Sequence, residues 1–156
     1  MTAALITATV LGIGGLAYTT VIGFLASAPD QISRHVTFAI FFTFITLLAH
    51  SMTMFYLIGK GKAIREAVTD GGLPDELHLA VARARRPVFS IGTLAMGLTM
   101  LAAVLGGGVD TDVLPVVVHS MPALAALVTN FLAFRAELTA LATAADSVTE
   151  VNRLLD

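Results

Sequence analysis

Two histidines, His35 and His119, occupy matching positions in two apolar stretches, as a pair of axial metal ligands would. Each lies within five residues of the start of a long apolar stretch, His35 in the second stretch and His119 in the fourth. The second and fourth helices of a four-span protein cross the membrane in the same direction, so the two imidazoles are expected at the same depth. Two imidazoles on facing helices of a bundle can bind a b-type haem through both axial positions. Arg34, next to His35, is a candidate partner for the haem propionates.

Other interpretations of this histidine pair are open at the level of the sequence. The same imidazoles can ligate a copper or iron ion without a macrocycle. A purely structural interpretation makes His35, beside Arg34, an anchor at the membrane surface, and gives His119 a hydrogen bond to a neighbouring backbone carbonyl. Equal depth does not by itself make the two rings face each other.

A second polar layer is predicted deeper in the membrane. His50 follows His35 by 15 residues, which places it about 22 Å further along a helix. It shares one face of its helix with Thr46, and Asn130 on the fourth stretch falls at nearly the same level and is its expected partner. Tyr56 falls at the flank of that face, where an interfacial anchor is expected. We interpret this layer as a hydrogen-bonded contact that fixes the register of the helices.

A proton or ion path through the same layer is the alternative interpretation, because histidine can relay protons. Glu137 shares a face of the fourth stretch with His119 and Asn130, but its position in the sequence places it near the membrane surface, level with Tyr56. The sequence therefore predicts no carboxylate in the middle of the membrane to support such a path.

Four apolar stretches must position these side chains. They cover about residues 3–28, 35–58, 88–106 and 115–135, and each is close to the roughly 20 residues that a helix needs to cross a bilayer. The chain is 56% hydrophobic and 13% charged, far fewer charges than the quarter that soluble domains carry. These features predict an all-α fold, a polytopic four-helix transmembrane bundle with helical cytoplasmic extensions.

The basic residues predict the orientation. Of nine Lys and Arg residues, only Arg34 falls on the side opposite the other eight. Cytoplasmic loops are enriched in such residues, so both termini and the 59–86 connector are expected in the cytoplasm of a cell-membrane protein. The connector reads as a helical hairpin.

The fourth span is predicted to continue as a cytoplasmic heptad tail over 136–156. Its seam begins inside the membrane and packs either on the chain's own hairpin or on another copy. The seam positions are Leu124, Leu127, Phe131, Phe134, Leu138, Leu141, Ala145, Val148, Asn152 and Leu155.

Composition narrows the functional classes. The absence of cysteine excludes disulfides and thiolate metal sites, the net charge of −2 gives no footprint for nucleic acid, and no catalytic motif indicates an enzyme. The leading hypothesis is a b-type haem electron-transfer subunit of a membrane complex. The alternative is a cofactor-free scaffold or assembly subunit that associates through the heptad tail, and a weaker one is a proton- or ion-conducting bundle. The expected partners are the lipid bilayer and either further copies of the chain or other membrane subunits.

Overall fold

The computed structural model describes residues 1–155 and consists of four helices over that range. They are α1 (Thr2–Leu25), α2 (Pro29–Asp70), α3 (Glu76–Asp110) and α4 (Val116–Leu155). Each is long and apolar enough to cross a membrane. The fold is therefore all-α, and the four predicted spans lie almost entirely within the four helices. The predicted tail ends at Asp156, which lies outside the described residues.

The helices pack as two antiparallel hairpins, α1 with α2 and α3 with α4, and further contacts join α2 to α3 and both α1 and α2 to α4. At one end of the bundle, which we call the short-loop end, residues 26–28 and 111–115 connect the helices of each hairpin. At the other end α1 begins at Thr2, whose hydroxyl lies 3.5 Å from that of Tyr56. Beyond this level only three helices continue, and we call this part the extension (57–70, 76–84 and 141–155).

The apolar core of the bundle continues through the extension. Leu57, Val68, Val81 and Val151 are buried there. Near its tip, the Ser147 hydroxyl donates to a backbone carbonyl at the start of α3, and the Leu155 side chain lies against the α2–α3 turn. The last turns of α4 thus pack within the chain, along α2 and α3, as far as Leu155.

The register of the heptad seam differs from the prediction by one position, although Leu141 is buried as predicted. The predicted seam residues Leu124, Phe131, Leu138 and Ala145 are exposed. The buried stripe has the same steps of three and four residues, but it consists mainly of small and polar side chains. Its members are Ala126, Asn130, Ala133, Glu137, Ala140, Leu141, Ala144, Ser147 and Val151. In lipid, no hydrophobic driving force brings large apolar residues to a helix contact, and small residues let the helix backbones approach closely.

The outer surface of the bundle is correspondingly apolar. Phe44, Phe55, Val104 and Met121 are each between 68% and 73% exposed. Such a surface on all sides is expected where lipid is the surrounding solvent. The fold thus has the features of a membrane protein with its polar groups inside.

Candidate functional site

The structure brings His35 of α2 and His119 of α4 together near the short-loop end. Their ring centroids are 6.1 Å apart, and the ring planes meet at 70°. Nδ1 of His35 lies 2.9 Å from the backbone oxygen of Thr19 on α1. Nδ1 of His119 lies 2.9 Å from the backbone oxygen of Ala102 on α3. The pair therefore links all four helices at one level.

These contacts fix the tautomer of both rings. A backbone carbonyl oxygen can only accept a hydrogen bond, so Nδ1 of His35 and Nδ1 of His119 each carry the proton and donate it. In a neutral imidazole the other nitrogen, Nε2, then carries a lone pair. Metal-bound histidines in proteins show this same arrangement, with the second nitrogen donating to a carbonyl or carboxylate that orients the ring.

A glycine on the neighbouring helix makes room for each ring. A Cβ atom placed on Gly23 would lie 2.6 Å from Cε1 of His35, and one placed on Gly106 would lie 3.2 Å from Cε1 of His119. Each imidazole therefore packs directly against the backbone of the adjacent helix. The hydrogen-bonded carbonyl in each case belongs to the residue four positions before the glycine, one turn along the same helix.

The two hairpins repeat one pattern. Gly106 follows Gly23 by 83 residues and His119 follows His35 by 84 residues. The buried positions of the hairpins correspond at the same offsets. The matching pairs are Leu5 and Val88, Thr9 and Gly92, Gly12 and Ala95, Thr46 and Asn130, Ala49 and Ala133, Thr53 and Glu137, and Leu57 and Leu141. The histidine pair is thus built from two equivalent halves, and this offset in the sequence is the signal that could have revealed the repeat.

Arg34 contacts two aromatic side chains. Its guanidinium donates to the Tyr18 hydroxyl and lies 5.9 Å from the centroid of the Phe38 ring. The structure shows no contact between Arg34 and either histidine of the pair among the described residues.

The second site is a fully buried network of five side chains from all four helices. Nδ1 of His50 lies 2.6 Å from Oε1 of Glu137, and its Nε2 lies 2.8 Å from Oδ1 of Asn130. Nδ2 of Asn130 donates to Oγ1 of Thr99 at 2.8 Å. Oγ1 of Thr9 lies 3.3 Å from Oε2 of Glu137. The five side chains are at most 3% exposed.

The position of Glu137 corrects the expectation of a bundle without an internal carboxylate. Glu137 is 2% exposed and pairs with His50. The sequence misled because Glu137 follows the apolar stretch, whereas the buried stripe of α4 continues past that point. The spacing of seven residues from Asn130, on the same face, was the signal in favour of burial.

The other residues predicted in this layer lie outside the network. Thr46 is buried, but its hydroxyl donates to the Phe42 carbonyl of its own helix, and it packs against Gly12. Tyr56 meets Thr2 where the extension begins. The hydroxyl of Thr53, one turn from His50, is buried and has no hydrogen-bond partner among the described residues.

Chemically, the two sites differ in what they offer. Within residues 1–155 no three His, Asp or Glu side chains come close enough together to hold a metal ion. The histidine pair, His35 and His119, therefore offers two nitrogen ligands. The inner network offers a paired acid and base. Comparisons with protein-family models, with curated proteins and with solved structures gave no match, so the functional argument depends on these two sites.

Proposed function

We propose that the protein is a small membrane redox subunit that holds a b-type haem between His35 and His119. The observation that carries the proposal is the meeting of two imidazoles from equivalent hairpins, each with Nδ1 bonded to a backbone carbonyl.

The distance between the rings supports a shared metal. With a metal–nitrogen bond of about 2 Å, two imidazoles that shared one metal ion would have centroids about 6 Å apart. The separation of His35 and His119 is 6.1 Å. His35 and His119 would hold the haem iron, and the haem would supply the remaining ligands.

Access to the pair also suits a planar cofactor. Both imidazoles are half-buried, and nearby side chains such as Val118 and Met121 are exposed. A macrocycle would approach the pair from this apolar surface. When bound, the haem supplies a one-electron couple. The chain holds the two rings at a fixed orientation, and the carbonyls that accept from Nδ1 raise the basicity of Nε2.

The proposal also specifies how the protein is oriented in the membrane and what exchanges electrons with it. Of the nine basic residues, seven lie in the extension or within two residues of it, Arg135 lies on α4 between Asn130 and Glu137, and Arg34 alone lies at the short-loop end. By the positive-inside rule, the extension and both termini are cytoplasmic and the histidine pair lies near the outer surface of the cell membrane. An electron donor or acceptor is then a partner membrane subunit, another copy of the chain or a lipid-soluble carrier.

The experiment is to purify the protein from membranes after growth with added haem precursor and to record its absorption spectrum. We expect a Soret band that is lost in His35→Ala and in His119→Ala. His78→Ala is the matched control, because His78 lies in the extension, and it should keep the band. Colourless wild-type protein that also fails to take up added haemin would contradict the proposal and favour the cofactor-free scaffold.

A further inference from the structure

The inner network fixes the position of one proton. Nδ2 of Asn130 donates to the Ala126 carbonyl at 2.7 Å and to Oγ1 of Thr99. The Thr99 hydroxyl donates its own hydrogen to the Ala95 carbonyl at 2.7 Å. Both atoms that contact Nδ2 therefore act as acceptors, and a reversed amide would place Oδ1 against them. Oδ1 of Asn130 must then face His50. Nε2 of His50 therefore carries a hydrogen and donates it.

The contact between His50 and Glu137 then requires a second proton. Nδ1 and Oε1 are 2.6 Å apart, and two lone pairs at that distance would repel each other. One proton lies between them, either as imidazolium with carboxylate or as imidazole with carboxylic acid. Both arrangements have no net charge, so the proton can move between the two groups without exposing a charge to the apolar interior.

Thr9 gives the network a place for one more proton. Its hydroxyl has two acceptors within reach, the Leu5 carbonyl at 3.1 Å and Oε2 of Glu137 at 3.3 Å. When the hydroxyl donates to Leu5, its oxygen is free to accept from a protonated Oε2. Every donor of the doubly protonated pair then has an acceptor. His50 donates to Asn130 and to Oε1 of Glu137, and Oε2 donates to Thr9.

We propose that the His50–Glu137 pair is a proton-binding site that takes up a second proton, held on Oε2 of Glu137 by a hydrogen bond to Thr9. The proton comes from hydronium, which leaves as water, and the product is an imidazolium beside a neutral carboxylic acid. His50 and Glu137 are the two buried titratable groups within the part of the chain that the structure describes. α1 and α3 face the pair with the threonines Thr9 and Thr99. This site is independent of the histidine pair at the short-loop end.

The test is an acid titration of the protein in lipid vesicles. Two spectroscopic signatures are recorded at each pH, one for protonated Glu137 and one for protonated His50. One is the infrared carbonyl band of a carboxylic acid, taken as wild type minus Glu137→Gln. The other is the 15N resonance pair of His50 with both nitrogens protonated. Either signature alone, or a fraction of each, fits the singly protonated pair, in which one proton is shared. Both signatures at full amplitude require two protons, and we expect both at full amplitude at acidic pH. A single signature at the lowest pH at which the protein stays folded overturns the proposal.

Two further variants make the test specific. Thr9→Val keeps the size of the side chain and removes the acceptor for Oε2, so the second proton should bind at least about tenfold more weakly, a shift of about one pH unit. If the second proton binds at the same pH in Thr9→Val as in the wild type, the role of Thr9 is overturned. If Glu137→Gln does not fold, the comparison of the wild type with Thr9→Val takes its place. In the matched control, Glu150→Gln, both signatures should persist. The hydrogen bonds from Arg153 hold the pKa of the exposed Glu150 below its usual range. The carboxylic acid band of Glu150 therefore appears only at a lower pH than the band of an ordinary glutamate.

Discussion

At the scale of single residues, the histidine pair depends on two glycines that leave room for its rings. Gly23 and Gly106 have no side chain, and the imidazoles of His35 and His119 occupy the space where Cβ atoms would stand. The sequence identified the two histidines and their common depth. It did not identify the glycines, because a glycine in a membrane helix signals close packing without naming the neighbour.

The first prediction compares two glycines of α1. Gly23→Ala places a methyl group 2.6 Å from the His35 ring, so the ring must move and lose its bond to Thr19; Gly14 has no atom within 4 Å of the position of a Cβ. We expect Gly23→Ala to destabilise the protein by about 1–3 kcal/mol. Gly14→Ala should be neutral or should stabilise it by up to about 1 kcal/mol, since alanine favours helix. Unfolding in mixed detergent measures both changes.

The same comparison tests the equivalence of the hairpins. Gly106 and Gly97 of α3 correspond to Gly23 and Gly14, and a Cβ would meet His119 at Gly106 and no atom at Gly97. The contact at Gly106 is 3.2 Å, longer than at Gly23, so Gly106→Ala should have the smaller effect of the two histidine-facing variants. Equal stability of Gly14→Ala and Gly23→Ala would contradict the packing described for the site.

At the scale of helices, the sequence predicted the elements well and their faces less well. The number of helices and the extents of the spans follow from long runs without charge, a signal that lipid makes unusually strong. The face of α4 did not follow, because a heptad of leucines and phenylalanines indicates a buried seam in water and an exposed surface in lipid. The pairing of His50 with Asn130 was predicted, but the burial of Glu137 beside them was missed for the same reason, since Glu137 lies on the stripe of small residues.

The second prediction tests that register with two adjacent alanines. Ala144 is 2% exposed within the buried stripe, and Ala145 is exposed on the surface of α4. A leucine at position 144 must displace packed neighbours, so Ala144→Leu should destabilise the protein by about 1–3 kcal/mol. Ala145→Leu should change stability by less than about 0.5 kcal/mol. The reverse order in thermal unfolding would restore the seam predicted from the large apolar residues.

At the scale of the whole molecule, two equivalent hairpins surround two polar sites that differ. The outer pair is symmetric, with one histidine from each half. The inner network is asymmetric, because the position of Glu137 corresponds to Thr53 and that of Asn130 corresponds to Thr46. The two hairpins thus share one pattern of buried positions, and the second hairpin alone carries the acid and the amide that pair with His50. The basic residues are segregated, with Arg34 alone at the short-loop end.

The last prediction tests the orientation of the bundle with single cysteines, for which the natural chain gives no background because it contains no cysteine. Val113 in the α3–α4 loop is 74% exposed, and the Lys62 side chain on the extension is 76% exposed, so the two positions are matched in accessibility. If the extension is cytoplasmic, a membrane-impermeant maleimide should label Val113→Cys on intact cells. It should label Lys62→Cys only after the membrane is opened. Labelling of Lys62→Cys on intact cells, with Val113→Cys protected, would invert the orientation and place the histidine pair at the inner surface instead.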